Sequence, residues 1–84
     1  MKIYYLTFRS VTHAQRAEGL LTKQDIRCSI QRTPRWMEAQ GCGYALRIWT
    51  KEPEEAVRIL RSHNIPMRRL YVQGMTGELE ELPL

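Results

Sequence analysis

The chain has 84 residues, 43% of them apolar, with 13 Lys and Arg against 9 Asp and Glu for a formal net charge of +4. That length builds one compact core and excludes a second, and five Gly with four Pro are too few for a disordered or low-complexity chain. No stretch approaches the roughly 18–20 apolar residues of a membrane span, and no basic segment followed by an apolar run opens the chain, so the expected compartment is the cytoplasm.

Residues 2–8 are rich in aromatic and β-branched types in rough alternation and predict a first strand. Thr12-His13-Ala14-Gln15 has the form of a capping box, and Ala14, Ala17, Leu20 and Leu21 follow at helical spacing, so a helix is expected from Thr12 to about Gln24. Residues 26–30 predict a short second strand with Ile26, Cys28 and Ile30 on one face, which makes Cys28 a core thiol. Residues 32–41 hold Pro34 and Gly41, have no sustained period, and predict a loop of the length that often carries function.

Residues 42–49 predict a third strand. Pro53 opens a second helix that runs to about His63, with Ala56, Val57 and Leu60 inward and Asn64 at its C-terminal end. Residues 69–73 predict a fourth strand, and residues 74–84, with Glu78, Glu80 and Glu81 and no basic residue, predict an acidic tail after a single domain spanning 1–73. Once that tail is set apart, the body carries 13 basic and 6 acidic groups, a charge of +7, and ten of the basic groups are Arg. A basic body suits an anionic partner, and a solvated surface accounts for it equally well.

The order β-α-β-β-α-β predicts an α+β fold of ferredoxin-like type, a four-stranded antiparallel sheet with both helices on one face. The halves echo each other at a spacing of 39 residues: Tyr5 with Tyr44, Ala17 with Ala56, Leu21 with Leu60, Ile26 with Ile65. In such a sheet strands one and three are antiparallel neighbours. Cys42, opening strand three, is therefore expected near residues 9–11 and the N-terminus of the first helix, where Thr12 and His13 sit.

That neighbourhood favours a thiolate. Helix-terminal N–H groups, a protonated His13 and the nearby Arg32 and Arg35 all stabilise an anion, and Gly41 and Gly43 leave the sulfur uncovered. A plain buried thiol fits the same short pattern. Two cysteines are too few for a disulfide scaffold. Cys28, Cys42, His13 and His63 make a poor zinc set, since the two histidines stand at opposite ends of their helices, and no metal or other cofactor is expected. A Cys42–His13 hydrolase dyad lacks an orienting acid and room for a substrate pocket. Nucleic-acid binding matches the fold and the charge, but the third strand lacks the alternating Gly and aromatic pattern that stacks bases, and Tyr4, Tyr5, Trp49 and Tyr71 serve as readily in a core.

Phe8, Thr12-His13-Ala14, Ala17-Glu18, Leu21, Pro34-Arg35, Cys42-Gly43 and Leu46-Arg47, in that order, resemble the pattern of a family of small bacterial proteins described as selenium/sulfur carriers. The resemblance runs from residue 3 to about residue 72, and departs from the pattern at residues 36–41, where the family more usually has small residues before the Cys. It implies that Cys42 accepts sulfur or selenium as a persulfide or selenopersulfide from a cysteine desulfurase-type donor and hands it to an acceptor protein. It makes the chain a carrier rather than a free-standing enzyme, with Pro34-Arg35, Gly41 and Gly43 shaping the docking loop. The alternative is a non-enzymatic binding or regulatory module that uses the basic surface, with nucleic acid as its partner.

Overall fold

The structure, a computed structural model, describes residues 2–32 and 43–84. Its elements are β1 (Lys2–Phe8), α1 (Val11–Lys23), β2 (Arg27–Arg32), β3 (Tyr44–Thr50), α2 (Pro53–Ser62), β4 (Leu70–Gln73) and β5 (Leu79–Leu82). All strand pairs are antiparallel, and the sheet order is β2-β3-β1-β4-β5.

The fold is thus α+β, and among the described residues there are two helices and a sheet of five strands where four are expected. The extra strand comes from the expected acidic tail. Leu79-Glu80-Glu81-Leu82 holds no β-branched or aromatic residue, so propensity alone gives no strand there. A turn supplies the pairing instead: the Gly74 N–H donates to the Glu78 carbonyl at 2.7 Å, the Gly77 N–H to the Gly74 carbonyl at 3.1 Å, and Gly77 takes a φ of 91° that glycine adopts without strain. Leu82 then packs against the main core and Leu79 against the opposite face, which fixes the register Leu70↔Leu82.

Period-two alternation sorts the central strands. Tyr4, Leu6 and Phe8 of β1 and Leu46 and Ile48 of β3 join Ala14, Ala17 and Leu21 of α1 and Ala56, Val57 and Leu60 of α2 in one cluster, so both helices cover the same face. Leu6, Phe8, Leu21, Leu46 and Leu60 are fully buried. The other face carries a smaller cluster of Tyr5, Ala45 and Tyr71. There Arg47 lies over the Tyr5 ring at 5.5 Å and the Trp49 ring at 5.8 Å, while Arg27 lies over Trp49 at 4.6 Å.

The 39-residue echo has a structural meaning at the helix ends. Ile26 N–H donates to the Leu21 carbonyl at 2.9 Å and Asp25 N–H to Thr22 at 3.0 Å; Ile65 N–H donates to Leu60 at 3.1 Å and Asn64 N–H to Arg61 at 3.0 Å. These are twin Schellman closures, with Asp25 (φ 60°) and Asn64 (φ 57°) as the left-handed residues. The Tyr5–Tyr44 match has no such meaning, since Tyr5 belongs to the smaller cluster and Tyr44 packs on the main one.

Candidate functional site

Register defines one end of the sheet. Arg32 of β2 pairs with Tyr44 of β3, and Tyr44 pairs with Phe8 of β1, so the end of β1 does lie beside the start of β3. Only Arg9 and Ser10 separate Phe8 from the first residue of α1, which places the helix N-terminus at this same end.

The helix is not capped as expected. Ser10 is the N-cap: its backbone is extended (φ −126°, ψ 151°), its Oγ accepts from the His13 N–H at 3.2 Å, and its carbonyl accepts from the Ala14 N–H at 3.2 Å. The strand ends at Phe8 and the chain turns at once, so the helix starts two residues before the capping box that Thr12 and Gln15 spell. A seryl hydroxyl suits that position at least as well as a threonyl one. Thr12 is instead an exposed first-turn residue, and His13 is half-buried with its amide N–H committed to Ser10.

Gly43 is buried and directly precedes β3. Cys42, Pro34, Arg35 and Gly41 lie outside the described residues. His13, in the first turn of α1, and His63, the C-cap of α2, stand at opposite ends of their helices as expected, and since α1 runs away from the Phe8 end and α2 returns to it, both fall at that end of the sheet. Among the described residues, no group of three or more His, Cys, Asp and Glu is arranged to hold a metal ion.

Arginines gather at this end, Arg32 as expected and others that no motif singles out. Arg9 and Arg32 are exposed, and Arg61 closes the last turn of α2. Arg68 and Arg69 are fixed by Thr7, which is fully buried: Thr7 N–H donates to the Arg69 carbonyl at 2.9 Å, Arg68 N–H to the Thr7 carbonyl at 2.9 Å, and Arg69 N–H to Thr7 Oγ1 at 3.0 Å. For Arg61, Arg68 and Arg69 the available signal was the charge count of the body, which gives the number of arginines but not where the fold gathers them.

Cys28 is described, and it differs from a reactive thiol. It is half-buried against the core, its Sγ 3.8 Å from Thr22 Oγ1 and 3.8 Å from the Glu18 carbonyl oxygen. Burial pushes the thiol up, the Thr22 hydroxyl pulls it partly back, and the Glu18 carboxylate adds a smaller push upward. A thiol with a raised pKa is a poor nucleophile near neutrality. The aromatics weighed as a stacking platform are engaged as well: Tyr4, Tyr5 and Tyr71 are buried, and the Trp49 ring carries two guanidinium groups.

Against this geometry, the model of a protein family described as "Putative Se/S carrier protein-like" matches residues 3–72. The chain belongs to that family. The span matched by the selenium/sulfur carrier-like family runs from β1 into β4 and takes in the residues at the Phe8 end of the sheet, while β5 lies beyond the match. Among curated proteins and among solved structures, none matches the chain.

Proposed function

We propose that the protein is a sulfur or selenium carrier that takes up a persulfide or selenopersulfide on Cys42 and passes it to a partner protein. The observation that carries this reading is the family match across 3–72, which includes Cys42 and the elements on both sides of it. We read the order β2-β3-β1-β4 as the ferredoxin-like arrangement, extended by β5 at one edge, with a domain over 1–73. The cytoplasm, where thiols stay reduced, is the compartment such chemistry requires.

The register supports the choice of thiol. Tyr44, two positions after Cys42 in the sequence, pairs with Phe8, the residue that precedes Arg9 and Ser10. That end of the sheet holds the positive end of α1, whose first turn has no acidic side chain, and the exposed Arg9 and Arg32, all groups that favour an anion. Because the His13 amide is taken by Ser10, His13 acts through its ring, and Thr12 through its hydroxyl and amide. Pro34, Arg35, Gly41 and Gly43 shape the approach of the partner.

The transfer needs no external oxidant. The Cys42 thiolate attacks the terminal sulfur of the donor persulfide, one S–S bond forms as another breaks, and the donor cysteine leaves as thiolate. The selenium version is the same exchange with selenium as the terminal atom. Handing on to the acceptor repeats the step in the other direction.

Incubation with a cysteine desulfurase and cysteine, followed by intact-protein and peptide mass spectrometry, tests the reading. Wild type is expected to gain one sulfur atom on the peptide containing Cys42, and Cys42→Ser to gain none. Alkylation across pH is expected to give Cys42 a midpoint below the roughly 8.5 of a free thiol. No added atom on wild type, or addition to Cys28 alone, overturns it.

A further inference from the structure

Charge is distributed unequally between the two ends of the sheet. At the Phe8 end stand Arg9, Arg32, Arg61, Arg68 and Arg69, delivered by four separate segments, and the first turn of α1 has no acid to offset the helix dipole. At the opposite end Lys2, Lys23, Arg27 and Lys51 are balanced by Asp25, Glu52, Glu54 and Glu55, the last two in the first turn of α2. Among the described residues, the carboxylate nearest the arginine end in register is Glu81. It faces Tyr71 across the β4–β5 pair, two residues along from Arg69, while β4, β1 and β3 separate it from Arg32 on β2.

We propose that this arginine end is the docking surface for an acidic protein surface, which grips Arg9 and Arg32 with carboxylates and so orients a partner over the same end of the sheet. The inference rests on the carrier reading for its purpose, since a donor or acceptor protein has to approach the thiol. It rests on the arginine geometry for its chemistry. Guanidinium forks match carboxylates in a bidentate way, and rim charges of one sign raise the association rate and select partners of the other sign. Nucleic acid fits less well, because among the described residues Tyr4, Tyr5, Phe8 and Tyr71 are buried, the Trp49 ring carries Arg27 and Arg47, and Tyr44 is partly buried against the main cluster.

The test uses the whole protein with two probes of equal charge, an octaglutamate peptide and a nine-nucleotide oligothymidylate, followed by amide chemical shifts at low salt and at about 0.15 M salt. Octaglutamate is expected to shift residues 9–13, 32 and 68–70 and to bind more tightly than the oligonucleotide. Arg9→Glu with Arg32→Glu is expected to weaken it about tenfold or more, and Lys23→Glu with Arg27→Glu, at the other end, by less than about twofold. Circular dichroism confirms that the variants fold. Shifts spread evenly over the surface, equal loss in both double variants, or tighter binding of the oligonucleotide at the same residues each overturn the proposal. Cys42→Ser is expected to leave octaglutamate binding unchanged, so a missing persulfide and a missing docking surface give separate results.

Discussion

Two cysteines in one small chain are set apart by what surrounds them. Cys28 sits where α1 closes over β2, and its burial disfavours the thiolate more than the Thr22 hydroxyl favours it. In a Cys42→Ser background, iodoacetamide is therefore expected to label Cys28 more slowly than a free cysteine peptide at pH 8. Thr22→Val is expected to slow labelling further and Glu18→Gln to speed it slightly, read by mass spectrometry over time. The sign for stability follows from proton counting: a thiol whose folded pKa lies above its unfolded value keeps its proton longer in the native state. Its contribution is complete below the unfolded pKa and declines as pH rises through the folded one. Urea midpoints of that variant are expected to fall above pH 9 more than those of a Cys28→Ala partner, and identical pH profiles would show that Cys28 is solvated.

At the scale of an element, α1 shows where sequence reasoning succeeds and where it slips. Its buried stripe of Ala14, Ala17 and Leu21 was legible from spacing, because a 3.6-residue period leaves only one face to bury. Its start was not, because Thr12 and Gln15 satisfy the capping-box pattern and only the abrupt end of β1 makes Ser10 the residue that turns the chain. Ser10→Ala is accordingly expected to cost about 1 kcal/mol, and Thr12→Ala much less, by urea denaturation; the reverse order would restore Thr12 as the cap. Gly19, exposed in the middle of α1, offers the opposite change. A Cβ built there meets nothing within 4 Å, so Gly19→Ala is expected to gain roughly 0.5–1 kcal/mol. A loss instead would mean that α1 bends at Gly19.

At the scale of the molecule, the pairing of β1 with β3 was legible because β-α-β-β-α-β order leaves few ways to cover one sheet face with two helices. The arginine end was legible only in part: Arg32 and residues 9–11 were expected together, whereas Arg61 and Arg68-Arg69 lie in further segments that only the fold brings to the same end. The strand β5 was not legible, since its paired glutamates read as solvent-exposed tail. Those glutamates suit an outer strand, because charge on an exposed edge discourages pairing with another chain. The family match ends within β4, so β5 lies beyond the matched body. Its removal tests how much of the fold that body supports alone. Deleting residues 75–84 strips Leu82 from the main cluster and Leu79 from the smaller one, and uncovers part of Leu70, Tyr71 and Val72. The lost burial is about 2–3 kcal/mol, which for a domain of this size lowers Tm by roughly 10–20 °C. A cooperative transition is expected to survive, because Leu6, Phe8, Leu21, Leu46 and Leu60 keep their partners. An unchanged Tm in differential scanning calorimetry would mean that β5 adds nothing. Loss of the transition altogether would make β5 part of the minimal fold.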